Sequence, residues 1–267
     1  MLLPLYDENP VKRSPWVTYL LVAANVLVFL WTWRLPPEKE QVLVYQRGFV
    51  PARLTQLKTG QILNVEVRGK AVPTWFGVVQ GQRILPLLPH PGQIAFSLIS
   101  CMFLHGSLLH LLGNLWFLYL FGNNVEDHLG PGRFLFLYLV GGVLASLSHW
   151  LVDPGSQVPV IGASGAVAAI LGAYTVTWPW ARVYTLVFLF IFVTVIEVPA
   201  LLVNGIWFLG QIFAGEQARG GSGGVAWWAH VGGFLTGTAL MLVLDSFRYA
   251  DKQPTPITEY IKENDEE

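Results

Sequence analysis

Four polar side chains lie in stretches where nearly everything else is apolar: His110, Asn114, Ser164 and His230. In hydrocarbon such groups are costly and are functional candidates by default. Ser164 stands in Gly162-Ala163-Ser164-Gly165, just inside a predicted helix start, with neighbours too small to block approach to its hydroxyl. A plain N-cap is the ordinary use of serine there. The rest of the helix argues for more, because Ser164, Ala168 and Gly172 recur at intervals of four on one face, while His230, Gly233 and Gly237 share a face of a later helix. Small residues at that spacing let helices approach closely. If the two faces meet, Ser164 and His230 come within hydrogen-bond reach, as a nucleophile and its general base. Imidazole suits the role, being mostly neutral yet able to accept a proton near pH 7.

Asp245 lies about four turns from His230 and Asp153 belongs to a connection, so the spacing points to a dyad rather than a triad. His110 and Asn114, four apart, point the same way from their helix and can donate to the oxyanion of a tetrahedral intermediate, helped by the backbone N–H of Ser164. The bland reading of each is an interhelical hydrogen bond. His105, about 140° round that helix from His110, is expected to structure the adjoining loop. His90, His128 and His149 carry no usable signal, and Cys101, the only cysteine, reads as a small apolar filler that can form no internal disulfide.

The elements that must hold these groups are membrane spans. Charged residues make up 12% of the chain, against about 25% in an ordinary soluble domain, and no Lys or Arg occurs between Arg83 and Arg133, Arg133 and Arg182, or Arg182 and Arg219. A soluble surface cannot be built from such gaps, and the formal net charge of -1 offers no basic excess for nucleic acid. Five apolar stretches read as spanning helices: 16–33, 105–121, 134–151, 163–178 and 226–244. Residues 183–213 read as a further span broken near Pro199, with two separate spans as the alternative. Six spans put Lys12, Arg13, Arg133, Arg182, Arg248 and Lys252 on one side, so the charge rule places both termini in the cytoplasm, with Arg219 in the last outer loop an exception. The segment 34–95 is a long outer loop in which the weak alternation of 62–67 followed by 75–79 predicts a short hairpin or an interfacial element.

In order and spacing, Phe103-Leu-His-Gly-Ser-Leu-Leu-His110-Leu-Leu-Gly-Asn114, Gly122-Asn-Asn-Val-Glu126-Asp-His-Leu-Gly130, Gly162-Ala-Ser164-Gly165-Ala and Ala229-His230-Val-Gly-Gly233 resemble the motifs of the rhomboid family of intramembrane serine proteases. The resemblance, which runs from about Gly48 to Leu244, implies an all-α, multi-pass bundle of six transmembrane helices. It implies that Ser164 attacks a peptide carbonyl, that His230 acts as base and then acid, and that His110 and Asn114 line the oxyanion hole. It also implies that the broken fifth span and the loop before the sixth helix gate lateral admission of a substrate helix, and that Glu126 is a structural anchor. Two departures stand out: Phe96-Ser97 where many members carry Trp-Arg, and Ala168 where some place an aromatic residue against the catalytic histidine. The resemblance therefore names no group that orients His230.

The expected organisation is a cytoplasmic N-terminus (1–15), a rhomboid-like membrane domain (16–247) and an acidic cytoplasmic tail (248–267), in the inner membrane if the source is bacterial. The expected activity is hydrolysis of peptide bonds in or near transmembrane segments, without metal or cofactor, the partners being transmembrane protein substrates and the lipid bilayer. Substrate amides within a span bond to one another, so cleavage is expected near the outer end of spans with helix-weakening residues, after a small residue. A non-catalytic binder of membrane helices, a transporter, and a histidine-ligated metal enzyme are the competing classes.

Overall fold

In the computed structural model, which describes residues 2–75, 77–189, 192–218 and 225–250, the chain runs β1 (Leu2–Asp7), α1 (Trp16–Trp33), α2 (Pro37–Arg47), α3 (Pro51–Thr59), β2 (Leu63–Thr74), β3 (Gly77–Leu87), α4 (Pro91–Ser100), a 3-10 turn (Cys101–Phe103), α5 (Leu108–Leu129), α6 (Pro131–Val152), α7 (Ser164–Thr177), β4 (Arg182–Leu189), β5 (Phe192–Pro199), α8 (Ala200–Gln217) and α9 (Trp227–Ala250). Arg219 and the tail 251–267 lie outside the described residues. The membrane bundle is all-helical; the strands are additions to it.

Helix α7 is its axis. Its residues from Ala166 to Thr175 are all buried, and its 14 residues rise only about 21 Å, which protein neighbours allow where lipid would demand about 30 Å. Helices α5, α6, α8 and α9 pack round it. The close approach is built from absent side chains: a Cβ at Gly172 would fall on the Phe234 carbonyl, one at Gly233 on the Gly165 carbonyl, and one at Gly237 on the Ala169 carbonyl. A Cβ at Gly165 would lie 2.7 Å from that of Ala145 of α6. The two small-residue faces read from the sequence do meet, and their backbones touch.

Among the described residues, three helices are long and apolar enough to cross a membrane, Trp16–Trp33, Pro131–Val152 and Trp227–Ser246. A fourth span is present if α4 with its 3-10 turn and α5, bent by 83° at their junction, count together. Helix starts follow local chemistry. Proline occupies the first turn of α2, α3, α4 and α6, where its missing N–H costs nothing. The Ser107 hydroxyl accepts from His110 N at 3.2 Å to start α5. Helix α1 has no cap of its own and takes one from α5: the buried Glu126 carboxylate accepts from Val17 N (2.9 Å), Thr18 N (2.7 Å) and Thr18 Oγ1 (2.8 Å), where the helix dipole favours a negative charge.

The connection between α1 and α5 contains the hairpin anticipated from its alternation, though a longer one. Strands β2 and β3 pair antiparallel from Leu63↔Leu87 to Thr74↔Gly77, around a small core of Val65, Val67 and Leu87. At the Phe96-Ser97 departure, the Arg47 guanidinium lies 5.4 Å over the Phe96 ring, and the Ser97 hydroxyl turns back to the Ile94 carbonyl at 2.7 Å.

The stretch 183–213 is not a helical span broken in its middle. Its first part forms the antiparallel strands β4 and β5, paired from Arg182↔Pro199 to Leu189↔Phe192, and only the residues after Pro199 are helical. Pro199 ends the last strand and caps α8, so the break falls where proline predicts. The β-branched run Val183, Thr185, Val187, Val193, Thr194, Val195, Ile196 and Val198 favours strands, and hydropathy alone does not separate an apolar strand from an apolar helix. Val183, Thr185 and Val187 are buried while Val193, Val195 and Ile196 are exposed.

β1 completes that sheet in the order β1-β4-β5 and pairs with β4 from Leu2↔Val187 to Asp7↔Val183. It is tied to the bundle by Trp116 Nε1 donating to the Pro4 carbonyl (2.7 Å), Asn124 Nδ2 donating to Asp7 Oδ2 (2.9 Å) and the Tyr174 hydroxyl donating to the same oxygen. Burial pushes the Asp7 carboxyl above its ordinary range, opposed in part by the Tyr174 and Asn124 hydrogen bonds.

Candidate active site

Ser164 is the first residue of α7, and the chain reaches it through Gly162, whose φ of +112° suits glycine. A Cβ there would also stand 2.6 Å from His110 Nε2 and 3.4 Å from Asn114 Nδ2, so a side chain at 162 would fill the space beside both groups. Gly162 N donates to the Cys101 carbonyl at 2.9 Å, and Ala163 N points at His105 Nε2 at 3.5 Å. His105 thus holds the loop before the serine, with its ring edge-on to His110 at 5.1 Å.

Ser164 Oγ and His230 Nε2 are 2.8 Å apart. The hydroxyl is placed by α7 and the imidazole by α9, and the distance between them is set by the glycine contacts that bring these helices together. His110 and Asn114 lie on the adjoining face of α5. Asn114 Nδ2 is buried without a hydrogen-bond partner. A buried, unpaired donor costs about 1–3 kcal/mol, and this one is next to the serine loop.

The groups face a cavity of about 1260 Å³. Gly113 and Phe117 of α5 line it on one side, Trp207 and Gln211 of α8 on the other, and Val167 and Leu171 of α7 between them. His149 in the last turn of α6 and Asp153, its C-cap, add polar groups to the lining. Apolar side chains of α5, α7 and α8 and the polar side chains of His149 and Asp153 thus line one cavity with Ser164.

Other expectations from the sequence find specific places. Asp245 is engaged with His128, at 2.7 Å, and not with His230. His90 caps α4 by accepting from Gln93 N at 3.4 Å. Cys101 is buried, 3.8 Å from Ser146 Oγ. No group of three or more His, Cys, Asp or Glu side chains that could hold a metal occurs among the described residues. Three site residues were not singled out in the sequence: Gln211, whose Oε1 lies 2.7 Å from His230 Nδ1, and the flanking Trp207 and Trp227, whose rings stand 5.9 Å and 6.0 Å from the His230 ring. Gln211 is one of two amides, with Asn204, in the apolar run 200–214, and carried the same signal as Asn114.

Ser164 hydrogen-bonded to His230 inside a helical membrane bundle, facing a cavity lined from α5, α7 and α8, has the arrangement of a nucleophile beside its base. The comparisons with known proteins are more specific. Residues 93–247 match the Rhomboid domain, and the chain belongs to the rhomboid family. It is 31% identical over 171 residues to RHOMBOID-like protein 5 of Arabidopsis thaliana, covering 61% of this chain and 51% of that one. It is 33% identical over 165 residues to Rhomboid-like protein 11, chloroplastic, of the same plant, covering 57% and 53%. To the presenilin-associated rhomboid-like protein, mitochondrial, of Mus musculus it is 29% identical over 106 residues, covering 39% and 28%. The chain thus spans about half the length of the plant relatives it matches.

Proposed function

We propose that the protein is an intramembrane serine endopeptidase that cleaves transmembrane proteins in or near their spans. The observation that carries this reading is the 2.8 Å contact of Ser164 Oγ with His230 Nε2 at a cavity lined from α5 and α8, within a Rhomboid domain. In this reading Ser164 Oγ attacks the scissile carbonyl carbon while its proton passes to His230 Nε2. The oxyanion is held by Asn114 Nδ2, His110 and the backbone N–H of Ser164. Collapse breaks the C–N bond, and His230 returns the proton to the leaving amine. A water molecule, deprotonated by His230, then hydrolyses the acyl-enzyme and regenerates both groups. Glu126 anchors α1, Gly162 and Gly165 clear the approach to the serine, and Gly233 and Gly237 bring α9 against α7. The chemistry calls for neither metal nor cofactor, and insensitivity to chelators is the expected outcome.

The substrate helix enters between α5 and α8, unwinds near the serine, and leaves its extramembrane flank toward His149 and Asp153. The apolar lining from Phe117 of α5 and Trp207 of α8, and the polar lining at His149 and Asp153, support this placement. The six spans are α1, α5, α6, α7, α8 and α9, within a membrane domain at 16–247 whose segment 34–95 faces outward. Residues 1–15 and the tail 248–267 lie in the cytoplasm, the membrane being the inner one in a bacterium.

The test is cleavage of a single-span substrate by detergent-purified protein, comparing wild type with Ser164→Ala and His230→Ala, with labelling of Ser164 by a fluorophosphonate probe. Both variants are expected to lose cleavage and labelling. Undiminished cleavage in either overturns the dyad.

A further inference from the structure

We propose that Gln211 of α8 is the positioning residue of the proposed dyad, fixing the tautomer and orientation of His230. The inference rests on the dyad reading above and supplies the orienting group that the sequence leaves unnamed. His230 Nδ1 and Gln211 Oε1 are 2.7 Å apart, and both residues are buried. The direction of this hydrogen bond is set from outside the pair. Gln211 Nε2 donates to the Trp207 carbonyl one turn earlier on α8, at 3.3 Å, and a carbonyl only accepts. The amide nitrogen is therefore turned toward Trp207, and the amide oxygen faces the imidazole. An oxygen that only accepts requires the proton on Nδ1. That leaves the lone pair on Nε2, 2.8 Å from the Ser164 hydroxyl, as a general base needs.

Alternative partners are absent from the immediate surroundings of the ring among the described residues. Ala168 offers no aromatic face, Trp207 and Trp227 present rings rather than acceptors, and Asp245 is held by His128. Gln211 thus occupies the place that a carboxylate has in a triad, with the acceptor geometry but without the charge. A neutral acceptor orients the imidazole while stabilising its protonated form less than a carboxylate would.

The location adds a second consequence. Trp207 and Gln211 form the α8 wall of the slot through which the substrate is proposed to enter. The helix that borders the opening therefore also orients the base, so any displacement of α8 that widens the slot draws the acceptor away from Nδ1.

The experiment compares wild type, Gln211→Met and Gln211→Glu for single-turnover cleavage of a single-span substrate across pH, and for the rate of fluorophosphonate labelling. Thermal melting in detergent confirms that each variant is folded. Gln211→Met is expected to lower kcat and labelling by roughly 10- to 100-fold with KM little changed, the range a lost buried hydrogen bond spans. Gln211→Glu, nearly the same shape, is expected to keep substantial activity and to move the acid limb of the pH–rate profile upward by about one unit or more, because a carboxylate favours the imidazolium. A purely structural glutamine leaves that limb in place. Wild-type kcat in folded Gln211→Met, or an unmoved limb in Gln211→Glu, overturns the proposal. Failure of wild type itself to label at Ser164 instead overturns the dyad reading.

Discussion

Replacing Gly233 by alanine adds one methyl group at the point where α9 presses on α7. That methyl would fall on the carbonyl oxygen of Gly165, the residue after Ser164, and lie 3.2 Å from the Ala168 Cβ. Neither neighbour is the end of a flexible side chain, so the helices themselves must part, by about 1 Å to restore van der Waals separation. Opening by that amount would carry the 2.8 Å Ser164–His230 contact to nearly 4 Å, past the limit of a hydrogen bond. Overpacking costs about 1–3 kcal/mol, and an ångström of misplacement can cost about 100-fold in rate. Gly233→Ala is therefore expected to remain a folded, somewhat less stable protein whose cleavage rate falls at least about 100-fold. Gly205→Ala on α8, where an added Cβ meets nothing within 4 Å, is the matched control and is expected to behave as wild type. Substrate cleavage and thermal melting in the same detergent read both quantities. Gly233→Ala with wild-type melting and a rate within a few-fold of wild type would refute the claim that this contact sets the dyad distance.

Asn114→Ala is expected to lower kcat by about 100- to 1,000-fold without loss of melting temperature, since the Nδ2 it removes has no partner in the resting site; a large loss of stability would make Asn114 a structural bond instead. Glu126→Ala strips three hydrogen bonds from the start of α1 and is expected to cost on the order of 3 kcal/mol, read as a lowered melting temperature, whereas an unchanged value refutes the cap. Burial raises the Asp7 carboxyl above its ordinary value, so folding favours its protonated form. Its contribution to strand docking is full below the ordinary carboxylate range and is lost as pH rises through the raised value. Hydrogen exchange at the β1–β4 amides should therefore slow on mild acidification after correction for intrinsic rates, and Asp7→Asn should abolish that dependence; an identical dependence in the variant excludes Asp7 as its source.

The parts of the site legible in the sequence were those written in one helix at a time. His110 with Asn114, and the small faces of Ser164 and His230, are periodic patterns, and periodicity survives folding because each helix keeps its own faces. Gln211 belongs to no such pattern. Its role depends on where α8 sits beside α9, and that position follows from a hairpin that hydropathy read as helix. Residues 183–199 are apolar enough for either form, and hydropathy registers neither their β-branched run, which favours the local β4–β5 hairpin, nor the distant β1 that pairs with β4. Glu126 was legible as an anchor only through the family resemblance, because the amides it caps belong to α1.

The pairing of β1 with β4 joins residues 176 (Asp7 with Val183) to 185 (Leu2 with Val187) positions apart. At about 5–20 residues per second, β1 leaves the ribosome on the order of ten to forty seconds before its partner exists. During that interval α1, α5, α6 and α7 can be inserted, while β1 has yet to meet the strand it pairs with. Because β5 leads through Pro199 straight into α8, closure of this sheet and arrival of the helix that bears Gln211 belong to the same late step. Under the proposed function, the order of synthesis would thus keep Ser164 without an oriented base until most of the chain has been made.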